Sequence, residues 1–275
     1  MAVESVTETA MIWGTVSGAS MLGMVISLLL SVGLPIFLGI FIYKKTKAWV
    51  PAFFIGCGIF VGFAMILEQI CHAIVLTVTG DVIRDNIWLY AIYGGLAAAL
   101  FEECGRWIAM KFCLKKHLTR ENALMYGAGH GGIEAFLILG MSSMSNLLTA
   151  AMINGGLMEK TMTALEPAQQ EVTYHQLSVL WTTPAYQFYL APMERISAIA
   201  LQIALSILVY SAVKTGRKLH LAAAFGLHFA VDFLTVICAA AIPTWALELG
   251  LLLVVAVICV VVYQLVYVQM AEKKA

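Results

Sequence analysis

Three apolar segments of the sequence each contain a pair of ionisable side chains. The pairs are Glu102 with Glu103, His130 with Glu134, and His228 with Asp232. A charge at the centre of a bilayer costs roughly 3 kcal/mol on insertion scales, so it persists mainly where it is paired or used. Carboxylates and imidazoles can activate water, carry protons or bind a metal ion. The pairs therefore predict one buried polar site with acid–base or metal chemistry.

The spacing within two of these pairs brings their members together. His130 and Glu134 are four positions apart, and so are His228 and Asp232. Positions i and i+4 of a helix share a face. A metal ion needs three or four such groups to converge, and a histidine ligand needs a carboxylate or carbonyl to fix its tautomer. The spacing is therefore compatible with metal binding.

The two adjacent glutamates are expected to have different roles. Glu102 and Glu103 point about 100° apart around a helix. Arg106 follows one turn later, so it can reach either carboxylate and neutralise a charge that would otherwise be buried alone. One glutamate would then be free for acid–base work, and the other would be structural.

The composition is that of an integral membrane protein. Hydrophobic residues make up 61% of the 275 residues and charged residues 12%, against about 25% charged in soluble domains. A net charge of zero argues against a nucleic-acid partner. We expect an all-α, polytopic protein in a lipid bilayer, forming a single membrane domain over residues 1–275 with the polar motifs in a core at about 87–241. Seven predicted transmembrane helices cover residues 19–43, 50–79, 87–114, 121–147, 190–213, 219–241 and 244–269.

The connections between these helices differ in charge. Twelve basic residues lie on one side, and three on the other alongside most of the loop carboxylates. The basic side holds Lys44, Lys45, Lys47, Lys111, Lys115, Lys116, Arg120, Lys214, Arg217, Lys218, Lys273 and Lys274; the other holds Arg84, Lys160 and Arg195. Because basic residues are retained in the cytoplasm, this bias predicts an external N-terminus and a cytoplasmic C-terminus.

The ionisable pairs lie at similar distances from the predicted inner surface. The two glutamates come about 12 residues before Lys115, while His130 and His228 come 10 residues after Arg120 and Lys218. At 1.5 Å per helical residue, each site is about 15–20 Å from the inner boundary. One common depth indicates one common site.

Other features of the sequence leave alternatives open. Glycines around His130, at 127, 129, 131 and 132, could serve close helix packing or leave room for substrate or water. Glu68 and His72 form another i,i+4 pair, which we expect near the outer surface and outside the main site. Glu194 and Arg195 are expected to form an interfacial ion pair. The long outer loop 148–189 is a lid, a gate or a loosely packed surface loop.

Three motifs resemble the signatures of a known superfamily. They are Phe101-Glu102-Glu103-Cys104-Gly105-Arg106, Gly129-His130-Gly131-Gly132-Ile133-Glu134 and His228-Phe229-Ala230-Val231-Asp232. In this order they resemble the PrsW and CAAX-protease/bacteriocin-processing superfamily, and most closely its YhfC branch of membrane peptidases. The resemblance extends from the third to the sixth predicted helix, about half of the chain.

The resemblance implies an intramembrane proteolytic site. Glu102 would be the base that activates water, and Arg106 would hold Glu103. His130 and His228 would bind a metal or the hydrolytic water, Asp232 would complete the set, and Glu134 could be a further ligand. Prenyl-protease members have one more residue between the glutamates and the arginine, which leaves the roles of Glu102 and Glu103 open. Zinc is the implied metal, although a metal-free glutamate mechanism is also compatible with these residues.

The leading hypothesis is an intramembrane metalloendopeptidase that cuts a membrane-embedded protein or peptide in a bacterial plasma membrane. An ion-coupled transporter is an alternative, because Glu, His and Asp at the membrane midplane also build proton relays. A second alternative is a catalytically silent scaffold or immunity protein of the same fold.

Overall fold

The computed structural model describes residues 11–272, and every regular element in that range is helical. Seven helices are long and apolar enough to cross a membrane, which confirms the all-α, seven-helix prediction. We call them spans 1 to 7: Gly18–Thr46, Pro51–Thr79, Ile87–Cys113, Arg120–Asn154, Ala185–Thr215, Lys218–Ala239 and Thr244–Val268. The orientation of the termini stays a prediction, and Lys273 and Lys274 lie outside the described residues.

The connection between spans 4 and 5, which we expect on the outer side, is more ordered than predicted. Span 4 continues as a helix to Asn154, and two further helices follow at Leu157–Met162 and Pro167–Thr182. Trp13 contacts two rings of the second helix, Tyr174 at 5.5 Å and Trp181 at 5.7 Å between centroids. The expectation of loose packing therefore fails, because aromatic side chains anchor this helix on the segment that precedes span 1. A lid or gate role stays a prediction.

Spans 4 and 5 form the centre of the bundle. Span 5 is the most enclosed of the seven, and span 4 packs against spans 1, 2 and 5. A Cβ atom added to Gly129 would lie 1.9 Å from the Phe53 carbonyl oxygen, and one added to Gly132 would lie 2.5 Å from Pro35 Cβ. These glycines therefore serve close helix packing and leave no room for a substrate beside them.

Spans 3 and 6 pair along one side of this centre. A Cβ atom added to Gly95 of span 3 would lie 3.1 Å from the Phe229 ring and from its carbonyl oxygen, so the two backbones approach closely. Spans 5 and 6 also pack together, and span 7 lies against span 5. Spans 3, 4 and 6 thus converge on span 5, which positions their polar residues around a common centre.

Candidate active site

All six residues expected to be catalytic belong to one network of hydrogen bonds and ion pairs. Glu102 contacts His130 and lies within 3.9 Å of both Arg106 and His228. Glu103 contacts Arg106 and His228, and Asp232 lies 3.5 Å from His228. The common depth read from the sequence thus corresponds to direct contact between side chains of spans 3, 4 and 6.

Glu103 is the enclosed member of the glutamate pair. One of its carboxylate oxygens accepts a hydrogen bond from Arg106 Nε at 3.0 Å, and the other lies 2.8 Å from His228 Nδ1. A carboxylate paired with a guanidinium is ionised and only accepts, so Nδ1 of His228 carries the proton. The other ring nitrogen, His228 Nε2, faces Glu102 at 3.9 Å and Asp232 at 3.5 Å.

Glu102 is the member that borders open space. Its Oε2 atom accepts hydrogen bonds from His130 Nε2 and from Gln202 Nε2, both at 2.9 Å. The imidazole of His130 is fully buried, with the Phe60 ring 5.3 Å away edge-on. The carboxylate is thus fixed from two sides while it lines a cavity.

This cavity has a volume of about 240 Å³ and lies between spans 5, 6 and 7. Its polar wall includes Glu102, Glu134, Arg195, Gln202, His228 and Asp232. Asp232 is the most exposed member of the network, with 34% of its side chain accessible. The opposite wall is apolar and includes Leu251 and Val255 of span 7. The geometry therefore places carboxylates and an imidazole at the edge of a space that borders apolar helix surfaces.

Comparison with known proteins agrees with this arrangement. The model of the YhfC intramembrane metalloprotease family matches residues 30–261, which include every motif described above. The chain belongs to this family. It is 43% identical over 204 residues to the uncharacterized membrane protein YhfC of Bacillus subtilis (strain 168), covering 71% of this chain and 76% of that protein. No solved structure matches.

The family description implies a metal ion, and the site offers several possible ligands. Two imidazoles and an aspartate, from His130, His228 and Asp232, are the ligand types of catalytic zinc, and such sites keep a fourth position open for water. To bind a metal, His130 would have to release the hydrogen bond from its Nε2 atom to Glu102. Glu103 behind His228 is the carboxylate that commonly orients a zinc-bound imidazole. The donor types therefore fit zinc. Within residues 11–272, however, no three His, Cys, Asp or Glu side chains stand together as a preformed metal centre.

Glu134 is engaged by partners other than the histidines. Arg195 Nη1 donates to one of its oxygens at 3.2 Å, and Gln202 Nε2 donates to the other at 2.8 Å. Arg195 also pairs with Glu194 as expected, and it is buried, with 7% exposed. Its depth at the membrane interface stays a prediction. Arg195 is buried because Glu134 lies in reach across the helix interface. This favours a structural role for Glu134 over the expected role as a ligand.

Gln202 is the residue of the site that the sequence reading missed. Its side-chain amide donates to Glu102 and Glu134, and its Oε1 accepts from Arg106. Arginine only donates and ionised carboxylates only accept, so the amide has one allowed orientation. The spacing of polar residues in span 5 could have identified Gln202. Arg195, Gln202 and Ser206 are seven and four positions apart, which places three polar residues on one face of an apolar helix.

Glu68 and His72 form the expected pair, at 3.2 Å, and His72 Nδ1 lies 2.7 Å from the Tyr93 hydroxyl. Glu68 does not face the surface of the bundle, because it is buried and only 7% exposed. Its expected depth near the outer surface stays a prediction. Glu68 ends a π-helical segment, Val61–Glu68, and lies within electrostatic range of Glu102. The wider turns of a π-helical segment change the angle between successive side chains, so an ideal helical wheel does not predict which way Glu68 points.

Proposed function

We propose that this protein is an intramembrane endopeptidase that hydrolyses peptide bonds of a membrane protein or membrane-bound peptide. One observation carries the proposal: Glu102 borders a cavity while His130 and Gln202 hold its carboxylate in place. A fixed carboxylate beside a space within the bilayer is what the activation of water requires. The membership in a family described as intramembrane metalloproteases supports the same reaction.

Glu102 and the residues around His228 have different roles in the proposed hydrolysis. Glu102 accepts a proton from water as the water oxygen attacks the substrate carbonyl carbon, and it returns that proton to the nitrogen as the C–N bond breaks. Glu103 and Arg106 hold His228 so that its Nε2 atom faces the reacting groups. Zinc, held by His130, His228 and Asp232, would polarise the carbonyl and favour ionisation of water when bound.

The test is a search for new protein termini in membranes. Mass spectrometry of N-terminal peptides would compare membranes of bacteria that express the wild type or Glu102→Gln. We expect fragments of one or a few membrane proteins with the wild type alone. Glu159→Gln is the matched control, since Glu159 is exposed on the outer helix Leu157–Met162 and the variant should behave as the wild type.

Identical sets of termini in wild-type and Glu102→Gln membranes would contradict the proposal. The protein would then be a transporter or a silent scaffold. These two are separated by whether Glu102→Gln restores the growth or stress phenotype of a strain that lacks the protein. A scaffold keeps its effect when the carboxylate is replaced by an amide of the same shape, whereas a proton-coupled transporter loses it.

A further inference from the structure

A substrate helix must be opened before Glu102 can act on it. In a helix each peptide carbonyl accepts a hydrogen bond from the N–H four residues further on, and the side chains shield the backbone. Attack by a water molecule that Glu102 activates therefore requires that the segment at the site be unwound.

An unwound segment brings bare backbone groups into a region without bulk water. Each N–H and C=O that leaves a helix in a bilayer needs a new partner, at a cost of several kcal/mol if none is found. A site that cuts such a segment therefore needs both a hydrogen-bond donor and an acceptor on its walls.

Two buried polar atoms beside this cavity lack a hydrogen-bond partner among the described residues. They are Nε of Arg195, a donor, and Oε2 of Glu248, an acceptor. Both residues are more than nine-tenths buried, at 7% and 6% exposed. Arg195 lines the cavity. Glu248 lies within electrostatic range of Arg195 and, by helical spacing, on the face of span 7 that carries the cavity residues Leu251 and Val255.

A groove adjoins this cavity between spans 6 and 7. The groove has a volume of about 210 Å³ and is almost wholly apolar. It shares Val231, Thr235 and Leu251 with the cavity. It also includes Val254, a residue that is 50% exposed on the surface expected to face lipid. The groove therefore lies between that surface and the cavity that Arg195 lines.

We propose that Arg195 and Glu248 form a subsite that binds the backbone of an unwound substrate segment, which reaches it through the groove between spans 6 and 7. Arg195 Nε donates to a substrate carbonyl oxygen, and the Glu248 carboxylate accepts from a substrate N–H. The inference rests on the proposed function, since it assigns the substrate contacts of that site. It commits to a membrane peptide as the occupant of the groove.

The test measures binding in the Glu102→Gln background, so that it does not depend on hydrolysis. The probes are two labelled peptides of about 20 Leu and Ala residues, enough to span a bilayer. One carries a central Asn-Pro break next to a photo-reactive side chain, and the other is uninterrupted. We expect the broken peptide to bind more tightly to protein in lipid discs and to cross-link to groove residues such as Leu247 and Val254.

Two substitutions then test the subsite. Arg195→Lys keeps a positive charge between Glu134 and Glu194 but removes the Nε donor, and Glu248→Leu removes the acceptor. Each should weaken binding of the broken peptide about tenfold, the effect of losing one hydrogen bond to a charged group. Arg84→Lys and Glu159→Leu are the matched controls, because both residues are exposed outside the cavity.

Unchanged affinity in both subsite variants would overturn the inference, as would equal or absent binding of the two peptides or cross-links away from the groove. If Arg195→Lys does not fold, Glu248→Leu decides alone, since its unpaired oxygen makes no hydrogen bond that folding would lose. Binding as expected without any hydrolysis by the wild type would sink the proposed function and leave the subsite standing.

Discussion

Two neighbouring glutamates occupy different surroundings because one residue turns a helix by about 100°. Glu103 points into the bundle, where Arg106 and His228 use both of its oxygens. Glu102 points to the cavity wall. This difference supports Glu102 as the base and Glu103 as a positioning residue. The spacing to Arg106, which is one residue shorter than in prenyl-protease members, had left these two roles open.

The two glutamates should therefore differ in their contribution to stability. Glu103→Gln leaves the fully buried guanidinium of Arg106 without its closest carboxylate, and we expect a loss of about 3–5 kcal/mol in the free energy of unfolding. Glu102→Gln should cost only about 1 kcal/mol, because the amide keeps an acceptor oxygen for His130. Unfolding in mixed detergent micelles measures both. Equal losses would show that Glu103 has no special structural role.

Metal content tests the proposed ligands. Purified wild type should contain close to one zinc per chain by elemental analysis, and His228→Gln should contain almost none, because removing a ligand lowers zinc affinity strongly. His220→Gln is the control, since His220 lies in the first turn of span 6, contacts Ser211 of span 5 and lies outside the site. Zinc-free wild type, prepared without chelators, would remove the metal from the proposal.

At the scale of the helices, close packing of span 4 against span 2 fixes the distance between site residues. His130 lies next to Gly129, whose backbone meets Phe53, while Gly56 of span 2 in turn meets the backbone of Tyr126 and His130. The approach is backbone to backbone, so no side-chain movement can make room for a larger residue. Helix separation here is therefore a condition for the contact between His130 and Glu102.

An added methyl group at this interface should be poorly tolerated. Gly129→Ala would place a Cβ atom 1.9 Å from the Phe53 carbonyl oxygen. Because the backbone must shift, we expect a loss of about 3 kcal/mol or more in unfolding free energy. Gly58→Ala, whose Cβ would meet nothing within 4 Å, should be neutral or slightly stabilising. Similar behaviour of both variants in the unfolding assay would contradict the packing argument.

Hydropathy and charge predicted the span limits well, since both reflect the cost of leaving each residue in lipid. Helical spacing likewise predicted the contact between His228 and Asp232. It did not predict the carboxylate partner of His130, which is Glu102 of span 3 and not Glu134. Two features lay beyond such reasoning. Gln202 depends on contacts between three different helices, and the helix Pro167–Thr182 depends on aromatic packing against Trp13, far away in sequence.

At the scale of the whole molecule, the untested property is orientation. With the native cysteines replaced, Lys116→Cys should react with a membrane-impermeant thiol reagent only from the cytoplasmic side, and Glu159→Cys only from the outside. The reason is the excess of basic residues on the side of Lys116. Labelling of intact and opened cells distinguishes the sides, and the opposite pattern would reverse the predicted topology.

The pair of Glu103 and Arg106 also bears on how the chain is made. Both residues belong to span 3, three positions apart, so their charges neutralise each other as soon as that helix forms. A lone charge costs roughly 3 kcal/mol on insertion scales, which makes an unpaired arginine a serious obstacle at the translocon. Span 3 can thus enter the bilayer before the ribosome has synthesised Gln202, whose carbonyl and amide oxygens later complete the shell around Arg106.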